Sequence, residues 1–476
     1  MSQESKFRYL AKNTLLFTIS SFGSKILAFL LVPFYTNILS TEEYGTVDLV
    51  TTTSSLLLFV VTLCIADAVM RFAIEIKTNH ENILRYGTRI TMIGCGIFFL
   101  LLFPVSYFKL IDWPSYCYIF LALHLFLSSF HSLCTNYLRA IDKVRQVSVA
   151  GILSTFVTIA SNIFFLLIIR NGIIGYMISM ILSLLITLIY EIHHCGGIRT
   201  IFYGSVCDKN TQKEMINYSI PLIFNGVGWW VNSSIDKYFI SIICGVAVNG
   251  IYSVSYKIPM IMTTCQQIFS QAWSLSAIKE FDKEDKDGFF SKIYNTYNVF
   301  LILVCSSLII FNIPISKLLF AKEFYEAWKY SSFLLISVIF SALSSFLGSV
   351  ISATKKSKSL AISTIVSAGV NIILNAILIP IFGALGAAFA TSISFFSIWI
   401  IRLITVRKYI KWKINIFMDF IAYALLFAQA FSEQFEKHLY VLQLSIVILL
   451  IFIYRKTIKE MARKTMQVVN KKQRRL

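Results

Sequence analysis

Charged residues are scarce in this chain of 476 residues: they make up 14% of it, whereas hydrophobic residues make up 57%. A typical soluble domain has roughly 25% charged residues. Together with a mean hydropathy of +0.72, this scarcity excludes a water-soluble globular protein. Lipid must therefore be the solvent for most of the chain.

Metal-ligating and disulfide spacings are also lacking. The nine cysteines form no C-x-x-C pair, and most of them, such as Cys64 and Cys305, lie inside apolar runs, where cysteine acts as a small hydrophobic residue. His193 and His194 stand beside Cys195, and we interpret them as an accidental cluster. No hydrolase or transferase constellation is present in the sequence. We therefore expect no metal, no catalytic residues and no enzyme activity.

Long apolar runs, by contrast, are abundant. A helix needs about 20 apolar residues to span the hydrocarbon, and a helix satisfies its own backbone there. We count fourteen such runs and predict an all-α polytopic membrane protein with about 14 transmembrane helices. The runs are 13–38, 46–68, 87–108, 115–138, 147–169, 173–192, 217–241, 248–275, 293–313, 328–352, 360–380, 384–405, 415–431 and 439–454.

The net charge of +19 would suggest nucleic acid in a soluble protein, but its placement indicates membrane topology. With fourteen spans, 34 of the 43 Lys and Arg fall on the side of both termini, 6 fall on the other side and 3 lie inside spans. Positive loops mark the cytoplasmic side. We therefore predict that both termini are cytoplasmic and that nucleic acid is not a partner.

Loops and the first helix narrow the class of protein further. The first apolar run has no small-residue cleavage site after it, so we expect it to be retained rather than removed as a signal peptide. Outer loops are short, the longest running from about Asn312 to Ala327. Short outer loops disfavour a membrane-embedded glycan polymerase or transferase.

An internal repeat relates the two halves. Asn162 and Asn375 share an offset of 213 residues, and Gly172-x-x-Gly175 then matches Gly383-x-x-Gly386 at 211. Six helices separate the copies, so both cross the membrane in the same sense. We predict two six-helix lobes related by pseudo-two-fold symmetry, followed by a helix pair. The predicted domains are residues 1–195 and 215–410 for the lobes, 196–214 for a linker, 411–454 for the pair and 455–476 for a basic cytoplasmic tail.

Several charged residues fall inside the predicted spans, and six of them are singled out here. A charge at the bilayer centre costs about 2.5 to 3.5 kcal/mol on insertion scales, so each needs a partner or a wet cavity. The cations are candidates for attracting a phosphate-bearing substrate, and the carboxylates are candidates for carrying a coupling ion. Ion pairs that only hold helices together are the alternative. The six are Lys25, Lys237, Lys257, Asp48, Asp67 and Asp236.

Several segments, in their order and spacing, resemble the O-antigen and capsular repeat-unit flippases, the Wzx-type polysaccharide branch of the multidrug/oligosaccharidyl-lipid/polysaccharide exporter superfamily. The resemblance covers residues 10 to about 405. The segments that carry it are 13–29, 34–45, Arg71-Phe72, Asp236-Lys237 with Gly250-Ile-Tyr252, and 323–328.

This resemblance implies two lobes around a cation-lined cavity and alternating access. It further implies an undecaprenyl-diphosphate-linked oligosaccharide as cargo, an H⁺ or Na⁺ gradient in place of a cofactor, and other polysaccharide assembly proteins as partners. The family often has Asp-Arg where this chain has Asp236-Lys237, and lysine lacks the bidentate geometry of arginine. An ion-coupled multidrug or small-solute exporter of the same fold is the alternative.

Two sets of candidate site residues follow. Trp229 and Trp230 could stack on sugar rings or anchor the helix at the interface. The candidate coupling residues are Asp48, Asp67 and Asp236. The candidate substrate-binding residues are Lys25, Arg71, Trp230, Lys237, Tyr256 and Lys257.

The predicted topology can be tested with reporter fusions. Alkaline phosphatase fused after Leu476 should be inactive, and the same enzyme inserted in the segment from Asn312 to Ala327 should be active, because it folds only outside the cytoplasm. A green fluorescent protein fusion after Leu476 is the control. Active phosphatase at the C-terminus would contradict the charge-based orientation.

Overall fold

The computed structural model of the protein describes residues 29–75, 79–111, 113–279, 285, 288–354, 357–412, 414–435, 440–460 and 463. These residues form helices joined by turns and short connections, and no strand occurs among them. The prediction of an all-α polytopic membrane protein is confirmed, since eight helices in the described ranges are long and apolar enough to cross a bilayer.

Most helix boundaries follow the predicted apolar runs, and residues 13–28 of the first run lie outside the described residues. The helices are α1 Val32–Ile38, α2 Thr41–Val61, α3 Ile65–Glu75, α4 His80–Tyr107, α5 Ser115–Ala140, α6 Val144–Asn162, α7 Gly172–His194, α8 Gly197–Phe202, α9 Lys209–Ile243, α10 Val246–Ser255, α11 Pro259–Lys279, α12 Phe289–Leu319, α13 Trp328–Ala353, α14 Ser357–Arg407, α15 Ile416–Ser432 and α16 Tyr440–Ile453. A π-helix at Ile163–Ile168 extends α6, and a 3₁₀ helix at Lys322–Ala327 precedes α13.

Three expectations about continuity differ from the structure. The runs 46–68 and 248–275 are each interrupted, between α2 and α3 and between α10 and α11. The runs 360–380 and 384–405 both lie in α14, which kinks at Gly383. The predicted outer loop from Asn312 to Ala327 is wrong in extent, because α12 continues to Leu319 and a 3₁₀ helix follows.

The chain divides into two compact units, Met1–Trp230 and Val231–Leu476. The division falls within α9. The predicted linker at residues 196–214 lies upstream of it, and the domain boundaries and the lobe symmetry derived from the sequence stay predictions.

The core of unit 1 lies where α3, α4, α5 and α7 meet. Ile65, Leu84, Leu133 and Leu188 are buried in one cluster, one from each of these helices. α6 packs against α7. α4 leaves one face open, with Leu100 77% exposed, as expected of a helix that faces lipid.

Unit 2 is built around α13. Its Phe333, Phe340 and Phe346 are almost completely buried, and it packs against α11, α12 and α14. The C-terminal helices are held to this unit by polar contacts as well as apolar ones. Gln429 of α15 accepts a hydrogen bond from Ser306 of α12 at 2.7 Å and donates one to the Ser306 carbonyl at 3.0 Å.

The repeated glycines have the same local structure in both halves. Gly172 and Gly383 have positive φ, +51° and +59°, a conformation that glycine adopts without steric cost. Three residues later, Gly175 and Gly386 pack against the preceding segment: an added Cβ would lie 3.1 Å from the Phe165 carbonyl oxygen at the first and 2.4 Å from the Leu378 carbonyl oxygen at the second. Each half therefore makes the same sharp turn between its fifth and sixth spans.

A substitution at Gly386 should test this close approach. Gly386→Ala places a Cβ 2.4 Å from a backbone oxygen, and we expect it to destabilise the protein by roughly 1–3 kcal/mol because backbone must shift. Thermal unfolding in detergent measures the effect. Gly369→Ala in the same helix is the control, since nothing lies within 4 Å of its added Cβ. Equal melting temperatures for the two variants would contradict the packing described.

Candidate functional site

In unit 1, the span predicted at 46–68 is interrupted between α2 and α3. Leu63 and Cys64 both have left-handed backbone conformations, with φ of +51° and +52°, which cost energy for residues with a side chain. The Ile65 amide donates to the Thr62 carbonyl at 3.0 Å, closing a turn rather than continuing the helix. Asp67 lies in the first turn of the restarted helix, where the helix dipole favours negative charge.

In unit 2, the span predicted at 248–275 is interrupted as well. α10 ends at Ser255, and α11 begins at Pro259, a residue favoured at the first helical position because it has no amide proton to satisfy. Lys257 lies in the gap, and its amide donates to the Val254 carbonyl at 2.9 Å. In transporters, discontinuous membrane helices often form the substrate and ion sites.

Asp236, on α9, is the centre of a polar cluster inside unit 2. The side chain is 1% exposed, and one of its oxygens, Oδ2, accepts three hydrogen bonds. The donors are the hydroxyls of Tyr252 at 2.5 Å, Tyr256 at 3.0 Å and Thr391 at 3.2 Å. These residues come from the segment around the helix interruption and from α14, so the carboxyl group fixes three parts of the unit together.

Lys237 and Tyr256 join this cluster. The Lys237 amide donates to Asp236 Oδ1 at 3.0 Å, and its ammonium nitrogen lies 5.7 Å from the centroid of the Tyr256 ring, within the range of a cation–π interaction. Lys237 and Lys257 are both partly buried. The predicted residues Asp236, Lys237 and Tyr256 are thus brought together at one place.

A second polar layer lies one helical turn before Asp236. Asn232 is 1% exposed, and its Oδ1 accepts from the hydroxyls of Ser367 at 2.8 Å and Ser394 at 2.5 Å. Sequence reasoning missed this layer because its members carry no charge. The signal was present, since Ser363, Ser367, Asn371 and Asn375 recur every four residues and so lie on one helix face.

Trp230 and Arg71 lie in unit 1, each with specific partners. Trp230 is 7% exposed, and its indole nitrogen donates to the Thr52 carbonyl at 3.1 Å and to the Ser55 hydroxyl at 3.0 Å. Arg71 is about half exposed; it makes an ion pair with Glu75 at 3.2 Å and its guanidinium carbon lies 4.6 Å from the centroid of the Tyr218 ring. Both hydrogen bonds of the Trp230 indole are therefore made to α2.

The carboxylates proposed for ion coupling in unit 1 lie in different settings. Asp48 is partly buried in α2, close enough to Tyr44 and Tyr176 to interact with them electrostatically. Asp67 is exposed on α3. The predicted substrate-binding residue Lys25 lies outside the described residues, so its role in the site stays a prediction.

Several further charged residues that were not singled out from the sequence are buried, Glu191 and Arg402 among them. Glu191 of α7 is fully buried, and so is Arg402 of α14, which was counted among the cytoplasmic charges. The guanidinium of Arg402 donates to the Ser344 carbonyl at 2.8 Å, the Ser363 hydroxyl at 3.0 Å and the Thr364 hydroxyl at 3.1 Å. Each residue stands close to the end of an apolar run, where a charged residue usually belongs to the adjoining loop. For this reason neither was singled out from the sequence.

Comparison with known proteins identifies the family of this chain. A family model described as "Polysaccharide biosynthesis protein" matches residues 10–273, which is more than half of the chain. The protein belongs to this family. The resemblance to the polysaccharide branch of the exporter superfamily, predicted from the segments of the sequence, is thereby confirmed.

The chain matches a distant relative over part of its length. It is 26% identical over 190 residues to the probable low-salt glycan biosynthesis flippase Agl15 of Haloferax volcanii. The match covers 38% of this chain and 39% of that flippase, so the chain spans well under half the length of the relative.

Two solved structures have the same fold. The lipid II flippase MurJ in an inward closed conformation aligns with a TM-score of 0.70 at 16% identity, over 93% of this chain and 100% of that one. An inward-facing multidrug resistance transporter of the MATE family, in the MOP superfamily, aligns with a TM-score of 0.63 at 12% identity, over 81% of this chain and 95% of that one.

The hydrogen bonds to Asp236 predict a coupled mutational effect. Tyr252→Phe removes the 2.5 Å donor, and we expect a loss of roughly 1.5–3 kcal/mol in stability, because a buried carboxylate loses a strong partner. In an Asp236→Asn background, the same change should cost clearly less. Thermal unfolding of the two single variants and the double variant forms the cycle. Additive effects would contradict a direct Tyr252–Asp236 interaction.

Proposed function

We propose that this protein is a flippase that moves undecaprenyl-diphosphate-linked oligosaccharide repeat units from the cytoplasmic to the outer leaflet by alternating access. The match to the polysaccharide biosynthesis family over residues 10–273 is the observation that carries the proposal. The setting would be synthesis of O-antigen, capsule or exopolysaccharide at a bacterial cytoplasmic membrane. The protein would act as a transporter and catalyse no covalent step.

The relatives' names support the cargo class. Agl15 is described as a probable glycan biosynthesis flippase and MurJ as a lipid II flippase. One name contains a glycan and the other a lipid, and we propose that the cargo of this chain combines the two, as a lipid with a glycan attached. A charged headgroup must cross hydrocarbon during flipping, and this requires compensating charge in the protein.

The geometry of unit 2 suggests how such a headgroup would be handled. Lys257 lies in a gap between two helices, and Lys237 lies beside the buried carboxyl group of Asp236. Lysine is a compact, hydrated point charge, suited to attracting a diphosphate without fixing its orientation. In this proposal the two lysines, together with Lys25, attract the diphosphate. Other residues contribute to substrate binding, namely Arg71, Tyr256 and Trp230. The candidates for binding the coupling H⁺ or Na⁺ are Asp48, Asp67 and Asp236.

An ion-coupled multidrug or small-solute exporter is the second candidate function. The fold match to the MATE multidrug transporter, with a TM-score of 0.63, favours it. The two functions differ in the charge of the cargo, because many drugs are organic cations and the diphosphate is an anion. Lysines at the candidate site favour the anion.

A deletion strain of the host should separate the two functions. We expect it to accumulate lipid-linked repeat units on the cytoplasmic face of its membrane and to be rescued by the wild-type protein. Lys237→Ala and Lys257→Ala should lower rescue at equal protein levels by about tenfold or more, since a hydrogen bond to a charged group contributes roughly 1.5–3 kcal/mol. Lys25→Ala tests the predicted cation outside the described residues in the same way.

The control for these variants is Lys459→Ala, which removes an exposed lysine after the last span. Full rescue by Lys237→Ala and Lys257→Ala would contradict the assignment of the site and leave the transport function standing. Normal glycan export together with lost efflux of cationic dyes in the deletion strain would favour the exporter instead.

A further inference from the structure

Unit 1 contains a buried carboxylate that the proposed substrate site does not use. Glu191, on α7, is 0% exposed. Its Oε2 lies 2.8 Å from Nδ1 of His131, and its Oε1 accepts a hydrogen bond from the Thr135 hydroxyl at 2.7 Å. Both partners come from α5. A carboxylate enclosed in this way is expensive unless its charge is balanced or removed by a proton.

His131 connects this carboxylate to the surface of the unit. The His131 side chain is 37% exposed, whereas that of Glu191 is fully enclosed. Histidine is the side chain that most readily exchanges a proton near neutral pH. The imidazole therefore offers a route by which a proton can reach or leave a carboxylate that has no access of its own.

The pair lies on a longer polar stripe of α5. His124, Ser128, His131, Thr135 and Arg139 are spaced three or four residues apart, so they share one face of the helix. The stripe extends toward the middle of the span, where Nδ1 of His124 lies 2.8 Å from the Ser54 hydroxyl of α2. Chains of acidic and histidine side chains inside a membrane protein are typical of proton pathways.

Cations and thiols lie around Glu191. Arg139, on α5, interacts electrostatically with it. Lys143, just before α6, donates from its ammonium group to the carbonyl of His194 at 2.7 Å, three residues beyond Glu191. The thiols of Cys134 on α5 and Cys195 after α7 also stand in this cluster. Both cations lie at the ends of helices that the charge pattern predicts to be cytoplasmic.

We propose that Glu191 and His131 form a proton-binding site of unit 1, open toward the predicted cytoplasmic side. One proton resides on the imidazole and is shared with the carboxylate through the 2.8 Å contact. A second proton converts the carboxylate to a carboxylic acid, which removes its attraction for Arg139. This inference rests on the proposed ion-coupled flippase and assigns a proton to the coupling. A permanent polar contact between α5 and α7 is the competing explanation.

Infrared spectroscopy of the purified full-length protein in lipid bilayers tests the site without any transport. A protonated carboxyl group has a C=O stretching band that a carboxylate lacks, so difference spectra between acidic and neutral pH report titrating carboxyls. We expect Glu191→Gln to remove one such band. His131→Gln should keep the band and shift the pH at which it appears, because the carboxylate loses its imidazole partner.

Glu433→Gln is the matched control. Glu433 is also 0% exposed, and it accepts hydrogen bonds from Ser332 and from Asn312, neither of which titrates. This variant should leave the His131-sensitive band unchanged. Spectra of Glu191→Gln identical to wild type, or an unshifted band in His131→Gln, would overturn the proposal. His131→Gln retains Glu191, so it remains informative if Glu191→Gln folds poorly.

Proteoliposomes then test whether the site couples to transport. With a pH gradient across the membrane, wild-type flipping of a lipid-linked oligosaccharide should be stimulated, and Glu191→Gln should lose this stimulation while keeping the rate without a gradient. The coupling role would be overturned if the infrared band behaved as expected while the pH gradient still stimulated flipping by Glu191→Gln as it does in the wild type. Absence of flipping by the wild type would contradict the proposed function and leave the infrared result on the proton site valid.

Discussion

The central constraint on this protein is that ionisable side chains inside apolar helices must find their partners within the protein. Lipid is as apolar as leucine, so apolar surfaces alone give little preference for one helix neighbour over another. Polar contacts supply that preference. Asp236 takes hydrogen bonds from Tyr252, Tyr256 and Thr391, and Glu191 takes them from two residues of α5. Each buried charge thereby fixes the register of the helices that surround it.

The interruptions of two spans have a physical meaning in the same terms. Breaking a helix frees backbone amides and carbonyls, which hydrocarbon cannot satisfy, so such a break persists in a membrane only where protein or water surrounds it. In unit 1 the break is followed by Asp67, and in unit 2 it contains Lys257. Irregular backbone and charge therefore coincide in both units, as expected for places where an ion or a charged headgroup binds.

Hydropathy predicted most of the helices, because a run of about 20 apolar residues in a membrane can satisfy its own backbone only as a helix. The internal repeat identified the paired glycines, and positive φ at Gly172 and Gly383 and close packing at Gly175 and Gly386 depend on the absence of a side chain. The interruption at Leu63 and Cys64 could not be predicted, because both residues are apolar and neither is glycine or proline. Pro259 did signal the interruption in unit 2, although it stands in an otherwise continuous apolar run.

The sequence predicted the charged part of the candidate site and missed the uncharged part. Charge inside a span is conspicuous, so Asp236 and Lys237 stood out, whereas the layer of Asn232, Ser367 and Ser394 consists of uncharged side chains that fit an apolar helix at little cost. Arg402 and Glu191 stand near helix ends, where charge is ordinary. Only the packing of α14 on α13 and of α7 on α5 shows that these two residues are buried.

The most direct test of the account is transport by the purified protein. Vesicles containing the protein and an undecaprenyl-diphosphate-linked oligosaccharide in both leaflets are treated from outside with an enzyme that cleaves exposed glycan. If the protein is a flippase, the cleavable fraction reaches completion with time as cargo from the inner leaflet appears outside, and protein-free vesicles stop at the outer-leaflet fraction. A cleavable fraction that stays at the protein-free level, with and without an ion gradient, would contradict the account.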